Sequence, residues 1–237
     1  MKIVWEIPAL AGISYFYAME IRETFPSPYR FLVIEGNIGA GKTSLAEKIS
    51  RDYQSRLILE RFADNPFLPK FYQDQERYAF PVEMAFLADR YNQLKKELQE
   101  PDIFSPMITA DYYFMKSLIF AANTLAGDEY NLYSQLFHII YASLPKPDLY
   151  VYLHQEPQNL IKHIRQRGRD YESAITADYL LRIQNGYFDF FRQEAGMRIL
   201  VIDVREIDFV GNPEHYNLVA EQIFARSYPL GVTRVIP

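Results

Sequence analysis

The sequence contains no cysteine and no apolar run long enough to cross a membrane. The lack of cysteine excludes disulfides, thiolate metal sites and cysteine catalysis, and it is compatible with a reducing cytoplasm. A net charge of −5 argues against a nucleic-acid polymer as the main partner. We therefore predict a cytoplasmic protein that acts neither on nucleic acids nor at a membrane.

The length of 237 residues fits one α/β domain, which we assign to residues 29–237. Residues 1–28 are predicted to be an N-terminal extension. Its role is open between a docked segment, a linker from a fused partner, and translation from an upstream start with Met19 as the true first residue. Aromatic residues make up 16% of the chain, a composition that suits a flat ligand, although most of them are expected in the core.

A phosphate-binding loop follows a predicted buried strand, Phe31 to Glu35. The loop consists of Gly36, Asn37, Ile38, Gly39, Ala40, Gly41, Lys42, Thr43 and Ser44. It matches the pattern G-x-x-x-x-G-K-[ST], and an amphipathic helix with Leu45 and Ile49 follows it. In this pattern Lys42 reaches the outer phosphates and the hydroxyl of Thr43 binds Mg²⁺. The loop therefore predicts ATP and Mg²⁺ as cofactors.

Two acidic residues lie at the carboxyl ends of the next two predicted strands, where ligands lie in open α/β sheets. Glu60 ends the strand Arg56 to Glu60, and there a general base can reach a hydroxyl directed at the γ-phosphate. Asp111 follows the strand Met107 to Ala110 and can hold Mg²⁺ directly or through water. For each carboxylate alone, a solvated surface charge is an equally good interpretation.

Strands alternate with helices along the whole chain, a pattern typical of an α/β fold. We predict a P-loop kinase with a five-stranded, mostly parallel sheet and helices on both faces. The long helix predicted over Phe80 to Leu98 places Glu83 and Arg90 on a common face, two turns apart. The arginines between residues 165 and 169 have a charge density suited to a lid over the migrating phosphoryl group.

From Phe31 to about Glu194 the chain resembles the deoxynucleoside kinases, which move the γ-phosphate of ATP to the 5′-hydroxyl of a deoxynucleoside. The stretches that carry the resemblance are the phosphate loop, Glu60, residues 71–80, Arg90, residues 148–153 and residues 167–172. The resemblance implies that Glu60 is the general base and that Arg90 faces the base of the nucleoside. It further implies that Tyr72 and Glu172 hold the sugar 3′-hydroxyl and that Arg167 and Arg169 form the lid. A homodimer formed through a helix pair is also implied.

The sequence departs from the family pattern at two points. The acid-Arg-Ser triplet of the family aligns with Asp111-Tyr112-Tyr113, so its arginine is missing, and Lys116 or Arg61 is a candidate replacement. Glu83 stands where the family usually has glutamine. An ionised Glu83 only accepts hydrogen bonds, and guanine presents neighbouring N1–H and N2–H₂ donors. We therefore predict a purine preference, with deoxyguanosine ahead of deoxyadenosine and Arg90 donating to guanine O6.

Two alternatives to the active kinase stay open. The intact Gly41-Lys42-Thr43 and Glu60 favour an enzyme that makes the 5′-monophosphate for nucleotide salvage. The missing arginine favours a kinase fold retained as a non-catalytic binding or assembly subunit. A nucleoside monophosphate kinase would need a second phosphate site, and the sequence shows no spare basic cluster near Tyr72.

Overall fold

A computed structural model describes residues 28–61, 65–99 and 107–237. Residues 1–27 lie outside the described residues, so the N-terminal extension remains a prediction from the sequence. In the part of the chain that is described, no helix is both long enough and apolar enough to span a bilayer.

Strands and helices alternate, as the sequence predicts. The strands are β1 (Phe31–Gly36), β2 (Arg56–Ile58), β3 (Ile108–Ala110), β4 (Leu149–His154), β5 (Arg198–Asp203) and β6 (Gly231–Val235). The helices are α1 (Lys42–Asp52), α2 (Leu68–Gln73), α3 (Gln75–Gln99), α4 (Met115–Thr124), α5 (Gly127–Tyr141), α6 (Pro157–Arg167), α7 (Ala177–Gln193) and α8 (Pro213–Phe224). A short 3₁₀ helix, Asp170–Glu172, lies between α6 and α7.

The strands form one sheet in the order β2-β3-β1-β4-β5-β6, and every neighbouring pair is parallel. The predicted α/β fold is confirmed, but the described residues form six strands rather than five. The additional strand, β6, lies at the edge of the sheet, where Val232 and Arg234 are exposed. Because alternate residues of this short strand face solvent, it lacks the continuous apolar run that reveals a buried parallel strand.

The sheet separates two hydrophobic clusters, one on each face. Along β4, Tyr150 and Tyr152 pack into one cluster, while Leu149, Val151 and Leu153 pack into the other. This alternation follows from the two-residue period of a strand, and burial on both faces explains why β4 is apolar throughout. Helices α3, α4 and α5 contribute to the first cluster, and helices α1, α6 and α8 to the second.

The largest boundary difference concerns α3, which begins at Gln75 rather than at Phe80. Pro81 lies inside the helix, although proline is best tolerated in the first turn because it has no N–H to donate. The sequence prediction therefore starts the helix next to this proline. Ala79 is buried in the core before Pro81, so packing stabilises the preceding turns despite the lost hydrogen bond.

Candidate active site

The phosphate loop joins β1 to α1 at the carboxyl edge of the sheet, and its three glycines, Gly36, Gly39 and Gly41, have positive φ angles. The φ angle is 84° at Gly39 and 83° at Gly41. A Cβ atom at Gly39 would lie 2.9 Å from the carbonyl oxygen of Leu160, and one at Gly41 would lie 2.7 Å from the ring of Phe209. Backbone conformation and space therefore both demand glycine at these two positions.

Lys42 is the first residue of α1, and its Nζ donates a hydrogen bond to the carbonyl oxygen of Asn37, 2.9 Å away. The side chain of Asn37 in turn donates to the carbonyl oxygen of Leu180, which ties the loop to α7. Burial, reinforced by the nearby Lys116 ammonium, lowers the pKa of Lys42 to about 8. A cation held in this way gains from an incoming phosphate, because the phosphate replaces the lost solvation.

Asp111 connects the loop to the end of β2. Its Oδ2 accepts a hydrogen bond from the Thr43 hydroxyl at 2.6 Å, and its Oδ1 accepts one from the Glu60 N–H at 2.8 Å. Burial raises the pKa of Asp111, while the bond from Thr43 opposes this shift. The two predicted Mg²⁺ residues thus lie in direct contact.

The donor set around Asp111 suits Mg²⁺, which prefers oxygen ligands and commonly uses one or two carboxylates together with phosphate oxygens and water. Among the residues described, no group of three or more His, Asp or Glu side chains could hold a metal ion. With one hydroxyl and one carboxylate in contact, Thr43 and Asp111 fit a cation that takes its other ligands from nucleotide phosphates and water.

Glu60 lies two residues beyond β2, between two buried cations. Its Oε1 accepts two hydrogen bonds from Arg90, at 2.9 Å from Nε and 2.7 Å from Nη2. Its Oε2 lies 2.5 Å from the Nζ of Lys116. Burial alone would raise the pKa of Glu60, but Lys116 and Arg90 outweigh it and lower the pKa to about 2. Glu60 is therefore ionised at neutral pH.

Glu83 and Arg90 share one face of α3, as predicted, but they have different partners. Arg90 donates to Glu60 and, through Nη1, to the Ser117 hydroxyl at 2.9 Å. Glu83 accepts a hydrogen bond from the Thr124 hydroxyl at 2.9 Å on Oε1, while its buried Oε2 has no partner among the described residues. An unpartnered buried acceptor of this kind is costly unless a ligand or water completes it.

The sequence analysis treats Glu83 as ionised, but its surroundings in the structure change its pKa. Burial raises the pKa of Glu83 to about 7, although Arg90 and the hydrogen bond from Thr124 act in the opposite direction. Both the acid and the carboxylate are consequently populated near neutral pH. Partners among the described residues use three of the five N–H groups of Arg90, which leaves two for a ligand.

The lid arginines lie around Glu172, in the segment that follows α6. Helix α6 ends at Gly168, whose φ angle is 68°, and the chain then turns into the 3₁₀ helix. Arg167 lies 2.5 Å and Arg169 lies 3.3 Å from the two carboxylate oxygens of Glu172. The ring of Tyr72 stacks on the ring of Tyr171, with the centroids 5.8 Å apart. The ring contact between Tyr72 and Tyr171 thus joins the lid to α2.

All eight of the predicted acceptor-side and lid residues line one pocket together with Lys42 and Thr43: Glu60, Tyr72, Glu83, Arg90, Asp111, Arg167, Arg169 and Glu172. Lys116 also lines this pocket, whereas Arg61, the other candidate for the missing arginine, is exposed and does not line it. Lys116, not Arg61, therefore places its charge next to Glu60, where the family's missing arginine would be replaced.

Glu35 is a buried carboxylate directly before the phosphate loop, to which the sequence analysis assigns no role. This buried carboxylate at the end of β1 accepts hydrogen bonds from the backbone N–H of Tyr113 at 2.9 Å and from the hydroxyl of Tyr187 at 3.0 Å. Burial raises its pKa, while Lys116 and Lys42 oppose the shift. The feature of the sequence that could have indicated Glu35 is its charge at the end of an otherwise apolar strand, directly before the loop.

Comparison with known proteins identifies a family and two groups of relatives. The family described as deoxynucleoside kinase matches residues 32–227. A deoxyguanosine kinase of Bacillus subtilis is 33% identical over 197 residues, which cover 81% of this chain and 95% of the relative. A deoxyadenosine kinase of Dictyostelium discoideum is 30% identical over 185 residues, which cover 77% of this chain and 74% of the relative.

Solved structures resemble the fold. The deoxyadenosine kinase from M. mycoides with bound dATP superposes with a TM-score of 0.70 at 22% sequence identity. The match covers 82% of this chain and 98% of that structure.

Proposed function

The chain belongs to the deoxynucleoside kinase family, and from that premise we propose that it transfers the γ-phosphoryl group of ATP to the 5′-hydroxyl of a purine deoxynucleoside. The product is the 5′-monophosphate, which serves nucleotide salvage in the cytoplasm. The contact that carries the proposal is the chain of hydrogen bonds from Thr43 through Asp111 to Glu60. It holds the loop for the donor phosphates beside the carboxylate for the acceptor hydroxyl.

In this reaction Glu60 orients the 5′-hydroxyl and takes its proton. Its pKa of about 2 makes it a weak base, so the proton moves as the bond to phosphorus forms rather than before. Lys42 stabilises the charge of the migrating group, and Arg167 and Arg169 close over it. Mg²⁺, held by Thr43, Asp111 and the nucleotide phosphates, neutralises phosphate charge when it is bound.

The acceptor end of the pocket supports a nucleoside with a purine base. We assign the 3′-hydroxyl to Tyr72 and Glu172 and the base to Glu83, with Arg90 beside it. Ionised Glu83 matches the N1–H and N2–H₂ donors of guanine, and an N–H of Arg90 that is not used by Glu60 or Ser117 can donate to O6. A site built for particular hydrogen bonds rejects bases that leave its buried groups unpaired.

The two alternatives have less support. A binding or assembly subunit has no need of a buried, ionised Glu60 held by two cations next to the phosphate loop. A nucleoside monophosphate kinase would place the acceptor phosphate next to the γ-phosphate, where the ionised Glu60 lies, and a carboxylate repels phosphate.

The test is ATP consumption with each of the four deoxynucleosides and with none. We expect turnover that requires a deoxynucleoside, with kcat/KM highest for deoxyguanosine, then deoxyadenosine, and lower for both pyrimidines. Lys42→Ala provides the control for a contaminating kinase, because it should reduce turnover by at least about 1,000-fold while leaving the fold intact. Nucleoside-independent ATP hydrolysis, or no turnover at all, would refute the kinase proposal, and a preference for thymidine or deoxycytidine would refute the purine preference.

A further inference from the structure

Lys116 occupies an unfavourable position for a cation. Its side chain is only 8% exposed. It is the second residue of α4, where the N-terminal end of the helix dipole repels positive charge, and no side chain caps this end of the helix. Both burial and the helix dipole thus oppose an ammonium group here. Glu60 compensates for this cost by direct contact.

The two oxygens of Glu60 are divided between its cationic partners. Oε1 receives both N–H bonds from Arg90, so it has little capacity for another donor. Oε2 contacts only the Lys116 ammonium among the described residues. A 5′-hydroxyl that donates to Glu60 therefore approaches Oε2, next to the Nζ of Lys116.

Lys116 lines the same pocket as Lys42 and Thr43, so the two ammonium groups border a common space. Among the described residues, the one hydrogen bond made by Nζ goes to Glu60. Because an ammonium has three N–H donors, two are available for oxygens that enter between the two lysines.

Building on the proposed function, we propose that Lys116 is a catalytic residue that bridges Glu60 and the transferring phosphoryl group. The 5′-oxygen forms its bond to Pγ while the bond from Pγ to the β,γ-bridging oxygen breaks and ADP leaves. The hydroxyl proton passes to Oε2 of Glu60. Lys116 stays protonated and donates to an oxygen of the phosphoryl group throughout, as an electrostatic stabiliser of the transition state.

The first experiment compares Lys116→Met and Lys116→Arg with Lys95→Met, a control at an exposed lysine of α3. We expect Lys116→Met to reduce kcat by at least about 100-fold, the scale of losing one oxyanion donor. Lys116→Arg, which keeps the charge, should retain kcat within about tenfold of the wild type, and the control should match the wild type. If Lys116→Met does not fold by circular dichroism, Lys116→Gln replaces it, because glutamine can still donate to Glu60.

A folded Lys116→Met variant that keeps kcat within about threefold of the wild type would overturn the proposal.

A double variant separates action on phosphate from action through Glu60. In the Glu60→Gln background, Lys116→Met should still lower kcat by at least about tenfold, because the phosphoryl contact is lost independently. If the double variant shows no further loss of kcat, Lys116 acts only through Glu60. It would then be a positioning residue, and the catalytic assignment would be overturned. A wild type that phosphorylates no deoxynucleoside would overturn this proposal and the kinase function together, whereas an active wild type with an unaffected Lys116→Met variant would overturn this proposal alone.

Discussion

At the scale of single residues, Glu60 combines two properties that usually conflict. It is positioned as a base, yet two cations hold its pKa at about 2. Glutamine keeps the shape and one acceptor oxygen but cannot take a proton. We expect Glu60→Gln to lower kcat by at least about 100-fold while KM for the nucleoside changes little, measured by steady-state kinetics. A variant with raised KM and nearly unchanged kcat would reassign Glu60 to substrate binding.

Glu83 makes the stability of the protein depend on pH. Its pKa rises from 4.5 to about 7 on folding, so the folded state binds more protons than the unfolded state between these values. Stability contributed by the protonated group is therefore complete below pH 4.5 and is lost as pH rises through 7. Relative to the wild type, Glu83→Gln should gain up to ~3 kcal/mol of unfolding free energy as pH rises over this range.

Urea denaturation at several pH values measures this difference. Asp89→Asn is the matched control, because Asp89 is exposed on the same helix and its variant should run parallel to the wild type. A constant difference between Glu83→Gln and the wild type across this range would show that Glu83 does not titrate between 4.5 and 7.

The same titration should change the choice of purine. The carboxylate pairs with the two donors of guanine, whereas the protonated acid presents a donor and an acceptor and so matches N1 and N6–H₂ of adenine. The ratio of kcat/KM for deoxyguanosine over deoxyadenosine should therefore rise by about tenfold or more between pH 6 and pH 8. Glu83→Gln should show a ratio that does not vary with pH. A wild-type ratio that is equally constant would remove Glu83 from base selection.

At the scale of elements, the segment from Arg165 to Glu172 combines the end of α6, a glycine with positive φ and a short 3₁₀ helix. In this structure its arginines bind Glu172, and triphosphate oxygens compete for the same N–H donors. We expect a bound non-hydrolysable ATP analogue to slow hydrogen exchange in this segment by at least about tenfold. Strand β6, far from the loop along the sheet, is the internal control, and unchanged exchange in the lid would identify a static charge cluster.

At the scale of the whole molecule, α5 presents an apolar surface to solvent. Leu132 and Ile139 lie seven residues apart on one face of this helix and are 50% and 73% exposed. We propose that this face forms the predicted homodimer by pairing with its copy, since contiguous exposed apolar residues mark interaction sites.

A charge within this face tests the dimer. Ile139→Glu should shift the mass measured by light scattering from dimer to monomer at micromolar concentration, because an unpaired charge in an apolar interface is strongly unfavourable. Leu218→Glu, at an exposed leucine on α8, should leave the mass unchanged. A wild type that is monomeric, or a dimer insensitive to Ile139→Glu, would exclude this face as the interface.

The sequence by itself determined the phosphate loop and the fold class, because both are local properties. The glycine pattern dictates its own backbone conformation, and the alternation of strand and helix patterns dictates a parallel sheet with helices on both faces. It also placed Glu60 at the end of a strand and Asp111 directly after one, since a strand end can be read where an apolar run stops. In the structure β2 ends two residues before Glu60. The edge strand β6 was not predicted, because alternate residues of this strand are exposed and it contains no continuous apolar run.

Only the tertiary structure decided which of these residues meet. The sheet order β2-β3-β1 inserts β3 between the first two strands of the chain, and this brings Thr43, Asp111 and Glu60 into contact. The tertiary structure also decided that Arg90 binds one oxygen of Glu60 and Lys116 the other, and that Glu83 accepts a hydrogen bond from Thr124. The residues of these pairs are 30 to 68 positions apart in sequence. No local pattern encodes such contacts, because they depend on strand order and on how the helices pack.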